Sequence, residues 1–232
     1  MQGSVSMNAE NFLKEVPLFR SLSPEDIRRL AASLTTRSLK KGEVLFNKGS
    51  EGNALYIIRN GSIKIALPSR DGDEVILAIF SRGDFFGEMA LVDGMPRSAD
   101  AVAFEPSEVF VLNRKDFIDC LKGNESAIQS ILTSLSLRLR KTDDLLEDTC
   151  FLNISDRFAK KLLELAETHG RKEGDAIFID LDLTQTDLAS MVGATRESIN
   201  KELRILREKG LVSREGNIIR IYNLERLKRR IV

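Results

Sequence analysis

The sequence predicts an α+β chain: an N-terminal antiparallel β-barrel of the jelly-roll type, one long dimerisation helix, and a C-terminal winged helix-turn-helix domain. Three observations carry that prediction. Between about residues 36 and 113, short runs rich in Val, Ile, Leu and Phe alternate with turn pairs. Past residue 124 the apolar residues switch to a heptad spacing. After Thr184 a helix–glycine–helix pattern is followed by two strand-like runs. The boundaries that follow are 1–123 for the barrel with its N-terminal helices, 124–150 for the long helix, 151–153 for a hinge and 154–232 for the winged domain.

The elements are justified in chain order. Residues 11–34 suggest short helices, and in "SPEDIRRLAASL" Ser23 stands as an N-cap with Pro24 at the first helical position. The β-rich segments are "EVLFNKG", "ALYIIRNGSIKIAL", "DEVILAIF" and "ADAVAFEPSEVFVL". Lys41-Gly42, Asn60-Gly61, Asp71-Gly72 and Gly83-Asp84 separate them, which is the texture of a sandwich or jelly roll. Asn60-Gly61 between two strand-like runs signals a hairpin. Ile128, Leu132, Leu135, Leu139, Thr142, Leu146 and Thr149 then follow with steps of 4 and 3, a coiled-coil seam that wants a second helix or the sheet domain against it. Thr142 interrupts the apolar seam. It is either a polar residue that sets the register or a ligand contact at a subunit interface. "FLNISD" breaks the heptads, "DRFAKKLLELAETHG" resumes a helix on Phe158, Leu162, Leu163 and Leu165, and "AIFIDLDL" alternates like a strand.

Composition narrows the function. With 232 residues, 42% of them hydrophobic, the chain buries one large core or two modest ones. No stretch approaches the roughly 20 apolar residues that cross a bilayer, and "MQGSVSMNAE" has no basic-then-apolar leader, so a cytoplasmic location without a membrane partner is expected. Cys120 and Cys150 are the only cysteines, lie outside any CxxC pattern, and read as small, partly buried residues. His169, the only histidine, sits at a helix end as a C-cap or surface group. No metal, iron–sulfur or His-ligated haem site is therefore expected. No Ser-His-Asp pattern or P-loop is visible, and the chain is read as a non-enzyme. Net charge is zero, but from Phe151 onward 16 basic residues face 13 acidic ones. That excess suits a polyanion only weakly by itself.

Two stretches carry chemistry. In "LTQTDLASMVGATRESINKELRILREKGLV", Thr184 caps a helix with Asp187 three positions on, Ala189 lets two helices cross closely, Gly193 takes the tight turn, and Ile199 enters the core. The second helix starts after Thr195 and turns Arg196, Glu197, Asn200, Lys201 and Arg204 outward, with Thr186 on the preceding helix. Arg donates twice to guanine and Glu accepts from cytosine, so this face is suited to the major groove of double-stranded DNA. Solvated charge on an ordinary amphipathic helix is the competing reading. "EKGLVSREGNIIRIYN" supplies the wing.

In "GDFFGEMALVDGMPRSADA", one acid, one Arg and one hydroxyl share an apolar run. Arg97 suits a phosphodiester through its forked donors, and Ser98 adds a hydroxyl. Glu88 suits a ribose hydroxyl, while Gly87 and Ala99 leave room for close approach. A buried Glu88–Arg97 salt bridge is the competing reading.

"FGEMAL…PRSADAVA" and "GATRESINKELRILREKGLV" resemble the cyclic-AMP receptor protein family of bacterial transcription regulators, and the resemblance runs from about Phe19 to Leu227. It implies Gly87 and Glu88 for ribose, Arg97 and Ser98 for phosphate and Thr142 for the base. It also implies cyclic AMP as effector, with cyclic GMP as the other candidate. Asp143 falls where the family often has Ser or Asn reaching into the partner's pocket. Arg196, Glu197 and Lys201 match its base-reading positions, with Lys201 where a second Arg is common. A homodimer on palindromic DNA, with RNA polymerase as a further partner, is the implied assembly. The alternative keeps the DNA reader and gives the barrel another effector, such as an organic acid, or none.

Overall fold

The computed structural model describes residues 2–231. The chain divides into two compact units. One is the chain up to Pro68 with Leu77–Arg140; the other is Ser69–Ile76 with the chain from Lys141 onward.

The first unit opens with α1 (Gln2–Glu15) and α2 (Pro24–Ser33). Helix α1 begins well before the expected start at residue 11. Ala9, Phe12 and Leu13 are its buried anchors, and the stretch ahead of them has no regular apolar spacing to mark a helix in the sequence. Ser23 caps α2 as expected, its hydroxyl accepting from the Asp26 amide at 3.1 Å.

Eight strands follow: β1 (Thr35–Leu39), β2 (Val44–Phe46), β3 (Ala54–Asn60), β4 (Ile63–Pro68), β5 (Glu74–Phe80), β6 (Phe85–Phe86), β7 (Asp100–Ala103) and β8 (Ser107–Asn113). They form two four-stranded sheets, β1-β8-β3-β6 and β2-β7-β4-β5. The strands pair antiparallel, β1 with β8, β2 with β7, β3 with β8 and β6, and β4 with β7, and this strand order is a jelly roll. Period-two alternation separates two cores. Leu55, Ile57, Phe110 and Leu112 face the helices, whereas Ile58, Ile63, Phe86, Ala101 and Val109 fill a second cluster.

The Asn60-Gly61 turn does not make a hairpin. Strands β3 and β4 lie in different sheets. A Cβ on Gly61, whose φ is +81°, would stand 2.4 Å from Ser107 Oγ and 2.6 Å from the Pro106 carbonyl. The chain is pinned against β8 there, the Ser62 amide donating to Ser107 Oγ at 3.1 Å, and then crosses to the other sheet. The two-residue signal reports the backbone bend, not the pairing. Asp71-Gly72 connects neighbouring strands, β4 and β5.

Helices α3 (Glu88–Asp93) and α4 (Arg114–Leu121) lead into α5 (Glu125–Phe151), a 27-residue helix. Its buried side is Ala127 and Ile131, with Leu135 packed partly against the core. The seam faces elsewhere: Ile128, Leu132, Leu139 and Leu146 are 43%, 53%, 62% and 64% exposed. Leu135 is the one predicted seam Leu given to the barrel, so the barrel does not serve as the seam's partner. Cys120 is buried, and burial pushes its thiol up to about 11. Cys150 is exposed, contrary to the expected partial burial.

In the second unit Phe151 still belongs to α5, so the helix breaks at Leu152 and Asn153. Asn153 caps α6 (Ile154–His169), accepting from the Asp156 amide at 3.1 Å. Lys160 and Asp148 bridge the break at 2.6 Å. Then come β9 (Gly170–Glu173), β10 (Ala176–Ile179), α7 (Gln185–Val192), α8 (Arg196–Glu208), β11 (Val212–Glu215), β12 (Ile218–Ile221) and α9 (Leu224–Lys228). The sheet order is β11-β12-β10-β9. Among the described residues no helix is long and apolar enough to cross a membrane, and no cluster of His, Cys, Asp and Glu is placed to hold a metal ion.

Candidate functional site

The cassette between β6 and β7 turns on two buried charges. Gly87 enters α3 with φ +86°, a left-handed conformation that favours glycine. A Cβ there would meet Arg97 Nη1 at 2.5 Å. The close approach Gly87 permits is thus the guanidinium's, where the sequence suggested the ligand's. Arg97 is 4% exposed. Nη1 donates to the Gly87 carbonyl at 2.7 Å and Nη2 to the Ala54 carbonyl at 2.8 Å. The guanidinium carbon lies 4.3 Å from the Phe46 ring centre and 5.5 Å from that of Tyr56. Nε is buried with no hydrogen-bond partner. Burial lowers its pKa from the ordinary arginine value, and the fields of Tyr56 and Glu88 oppose that shift.

Glu88 is 1% exposed and does not pair with Arg97. Its Oε1 accepts from Arg138 Nη1 at 2.6 Å, and Oε2 is buried without a partner. Arg138 also donates to the Phe85 carbonyl and lies 4.5 Å from the Phe80 ring centre. The expected alternative, a Glu88–Arg97 salt bridge, is replaced by a pair to the long helix. Arg138 is the residue that sequence reasoning missed. Ala127, Ile131, Leu135 and Arg138 share one helix face at steps of 4, 4 and 3, but this face overlaps the heptad seam at Leu135, and only the structure shows that it is the one packed on the barrel.

Ala99 is buried. Ser98 is exposed and its hydroxyl donates to Met89 Sδ at 3.6 Å. Thr142 and Asp143 belong to the second unit, both exposed on α5. The cassette therefore brings together Gly87, Glu88, Arg97 and Ala99, joined by Arg138. Two unsatisfied atoms of opposite character, Arg97 Nε and Glu88 Oε2, remain inside it. Orphaned buried polar atoms cost about 1–3 kcal/mol each, more when charged. An anion for the first and a hydroxyl for the second would satisfy them.

Gly52 is a further part of the cradle. A Cβ on it would stand 2.4 Å from Ala90 Cβ and 2.9 Å from Arg97 Nε. Gly52→Ala is expected to destabilise the first unit by about 1–3 kcal/mol through overpacking. Thermal denaturation reads this as a lowered midpoint; an unchanged midpoint would show that the guanidinium is loosely held.

The helix-turn-helix forms as its residues dictate. Thr184 and Asp187 make a reciprocal capping box on α7. Gly193 ends that helix at φ +60°. Thr195 caps α8, accepting from the Ser198 amide at 3.2 Å. Ile199, Leu203 and Leu206 are buried. Arg196, Glu197, Lys201 and Arg204 are exposed on the opposite side, Thr186 is exposed in the first turn of α7, and Thr195 is exposed at the start of α8. Asn200 departs from its expected outward placement: it is half-buried, and its Oδ1 is buried without a partner, because it stands next to Ile199 at the edge of the apolar face. Arg196 Nε lies 3.3 Å from Gln185 Oε1, a second contact between the two helices. The wing is β11 and β12 joined at Gly216-Asn217. Arg214 braces it, donating to the Leu183 carbonyl and to Asn217 Oδ1, both at 2.8 Å.

A jelly roll with this cassette, followed by a long helix and a winged reader, defines a cyclic-nucleotide-binding, DNA-binding transcription regulator. Comparison with known proteins agrees on both parts. Residues 36–124 match the cyclic nucleotide-binding domain and residues 156–230 the Crp-like helix-turn-helix domain. The chain is 33% identical over 221 residues to the CRP-like cAMP-activated global transcriptional regulator of Mycobacterium tuberculosis, covering 95% of this chain and 99% of that protein. It is 31% identical over 200 residues to the Cyclic AMP receptor protein of Thermus thermophilus, covering 86% and 89%. Among solved structures, the c-di-GMP responsive global regulator CLP of Xanthomonas campestris superimposes with a TM-score of 0.76 at 24% identity, over 87% of this chain and 100% of that one. The chain belongs to the CRP family of transcription regulators.

Proposed function

We propose that this regulator is a cytoplasmic homodimer whose affinity for palindromic DNA is controlled by cyclic AMP bound at the cassette. The observation that carries the ligand is Arg97. It is a buried cation with no carboxylate at ion-pair distance among the described residues, held on two carbonyls with Nε unsatisfied. A guanidinium in low dielectric is costly without a countercharge, and the cyclic phosphate supplies one. Glu88 Oε2 takes a ribose hydroxyl, while Arg138 holds the carboxylate in place through Oε1. Ser98 adds a hydroxyl to the phosphate after turning inward. Thr142, one turn beyond Arg138 on α5, is assigned to the base on family resemblance, with Asp143 beside it at the partner's pocket. Cyclic AMP is favoured over cyclic GMP because the Mycobacterium tuberculosis and Thermus thermophilus relatives are named for it.

The exposed α5 stripe is the dimer seam, and the break at Leu152 and Asn153 is the hinge. Closing the seam sets the two readers about 34 Å apart, one turn of DNA, so that each α8 enters a major groove. Arg196 reads guanine through its fork, Glu197 accepts from cytosine, and Lys201 makes a single-point contact. Asn200 turns its amide to a base edge or stays with the core, and Arg204, Thr186 and Thr195 hold phosphates. RNA polymerase is the partner that converts occupancy into transcription.

Arg196→Ala tests the reader. It is expected to weaken binding to the preferred duplex by about 1–3 kcal/mol and to relax selectivity at one base pair. Fluorescence anisotropy on single-base variants of the duplex measures it. Equal loss for every duplex would make Arg196 a phosphate contact and contradict the assignment.

A further inference from the structure

The winged unit contains a polar cluster that neither nucleotide binding nor base contact uses. Ser155, in the first turn of α6, donates its hydroxyl to Glu202 Oε2 at 2.8 Å and accepts from Arg230 Nη2 at 2.6 Å. Arg230 Nη2 also lies 3.6 Å from Glu202 Oε2. The Glu202 and Arg230 side chains are only 14% and 20% exposed. Three separate parts of the chain meet here: α6 just after the Leu152–Asn153 break, the recognition helix α8, and the tail beyond α9. The tail is seated by Leu227, which is fully buried, and the Arg230 amide donates to the Leu227 carbonyl at 3.2 Å.

At 3.6 residues per turn, Glu202 lies almost diametrically across α8 from the face carrying Arg196, Lys201 and Arg204. Ile199, Leu203 and Leu206 hold the helix down, but apolar contacts are non-directional and resist rotation about the helix axis weakly. Charge-assisted hydrogen bonds are directional and roughly twice as strong as neutral ones. Among the described residues two such contacts hold α8: Arg196 to Gln185 of α7 at the start of the helix, and Glu202 to Ser155 and Arg230 midway along its inner side.

We propose that Ser155, Glu202 and Arg230 are positioning residues that set the rotation of the recognition helix against α6, and that the C-terminal tail is thereby a determinant of DNA sequence discrimination. This rests on the reading of α8 as the DNA-reading helix. Loss of the cluster lets α8 roll, which misplaces the base-contacting tips while leaving the phosphate-binding charge in place. The signature is a fall in discrimination without a fall in non-specific affinity.

The test uses the full chain. The wild type selects its preferred duplex from a random library, with and without excess cyclic AMP, and affinities for that duplex and a shuffled one are compared in Glu202→Gln, Arg230→Met, Arg230→Lys and Ser155→Ala. Glu202→Gln and Arg230→Met are expected to lower the preferred-to-shuffled ratio about tenfold, a change of about 1.4 kcal/mol. Affinity for the shuffled duplex and the salt dependence stay as in wild type, and Arg230→Lys recovers part of the ratio. A purely structural role would lower the folded fraction and weaken both duplexes alike, leaving the ratio intact; that result overturns the inference. A salt slope reduced by about one would make Arg230 a phosphate contact and overturn it as well. Should Glu202→Gln fail to fold, Ser155→Ala and Arg230→Lys carry the same comparison. A wild type with no preferred duplex would instead overturn the DNA reading itself.

Discussion

Arg97→Ala is expected to abolish measurable binding of cyclic AMP in a calorimetric titration. Two charge-assisted bonds of about 1.5–3 kcal/mol each leave with the guanidinium. Together they correspond to a loss of roughly 10²- to 10⁴-fold in affinity. The fold is expected to survive. Removing a buried cation that lacks a carboxylate at ion-pair distance relieves a desolvation cost, which offsets the loss of the bonds to the Gly87 and Ala54 carbonyls. Circular dichroism checks that the sheets remain. Arg97→Lys keeps the charge but not the fork, and its affinity should fall between wild type and Arg97→Ala. An unchanged titration in a folded Arg97→Ala protein would remove the phosphate from this cassette.

Leu139→Asp is expected to split the proposed dimer. Leu139 is 62% exposed in the single chain, so the substitution costs α5 little by itself. In an isologous helix pair the same position is met twice. Each lost Leu forfeits about 1.5–3 kcal/mol of burial, and two carboxylates are brought together in an apolar seam. The dimer should weaken by a factor of roughly 10² or more, which sedimentation at micromolar concentration reads as a monomer. Leu135→Asp gives the contrasting result, loss of folding, because Leu135 packs against the barrel core. A dimeric Leu139→Asp protein would place the interface on another face.

These two positions also show what a sequence reveals and where it stops. The heptad spacing of α5 was readable because it is local and periodic, and so was the helix-turn-helix, whose caps at Thr184 and Thr195 and turn at Gly193 each follow from one residue's own chemistry. Which side of α5 met the barrel was not readable, because Leu135 belongs by spacing to the seam and by packing to the core. Tertiary topology was hidden for a similar reason. Asn60-Gly61 fixes a bend, but Ser107, far away in the chain, decides that β4 crosses to the other sheet. Strand β6 and helix α3 are too short to carry a periodic signal. In the cassette, Glu88 and Arg97 were legible as an unusual pair of charges in an apolar run. Their partners were not: Arg97 is held by main-chain carbonyls, which carry no residue-specific signature, and Glu88 by Arg138 on α5, fifty residues on.

In the proposed mechanism, occupancy of the cassette and the grip of α8 on DNA are one linked equilibrium. Linkage is reciprocal: a nucleotide that tightens DNA binding must itself be bound more tightly when DNA is present. The direct measurement is the affinity of the wild-type chain for its preferred duplex as cyclic AMP is raised from zero to saturation. Linkage requires progressive tightening that ends at a plateau and disappears in Arg97→Ala. DNA affinity that stays constant while cyclic AMP demonstrably fills the cassette would contradict it.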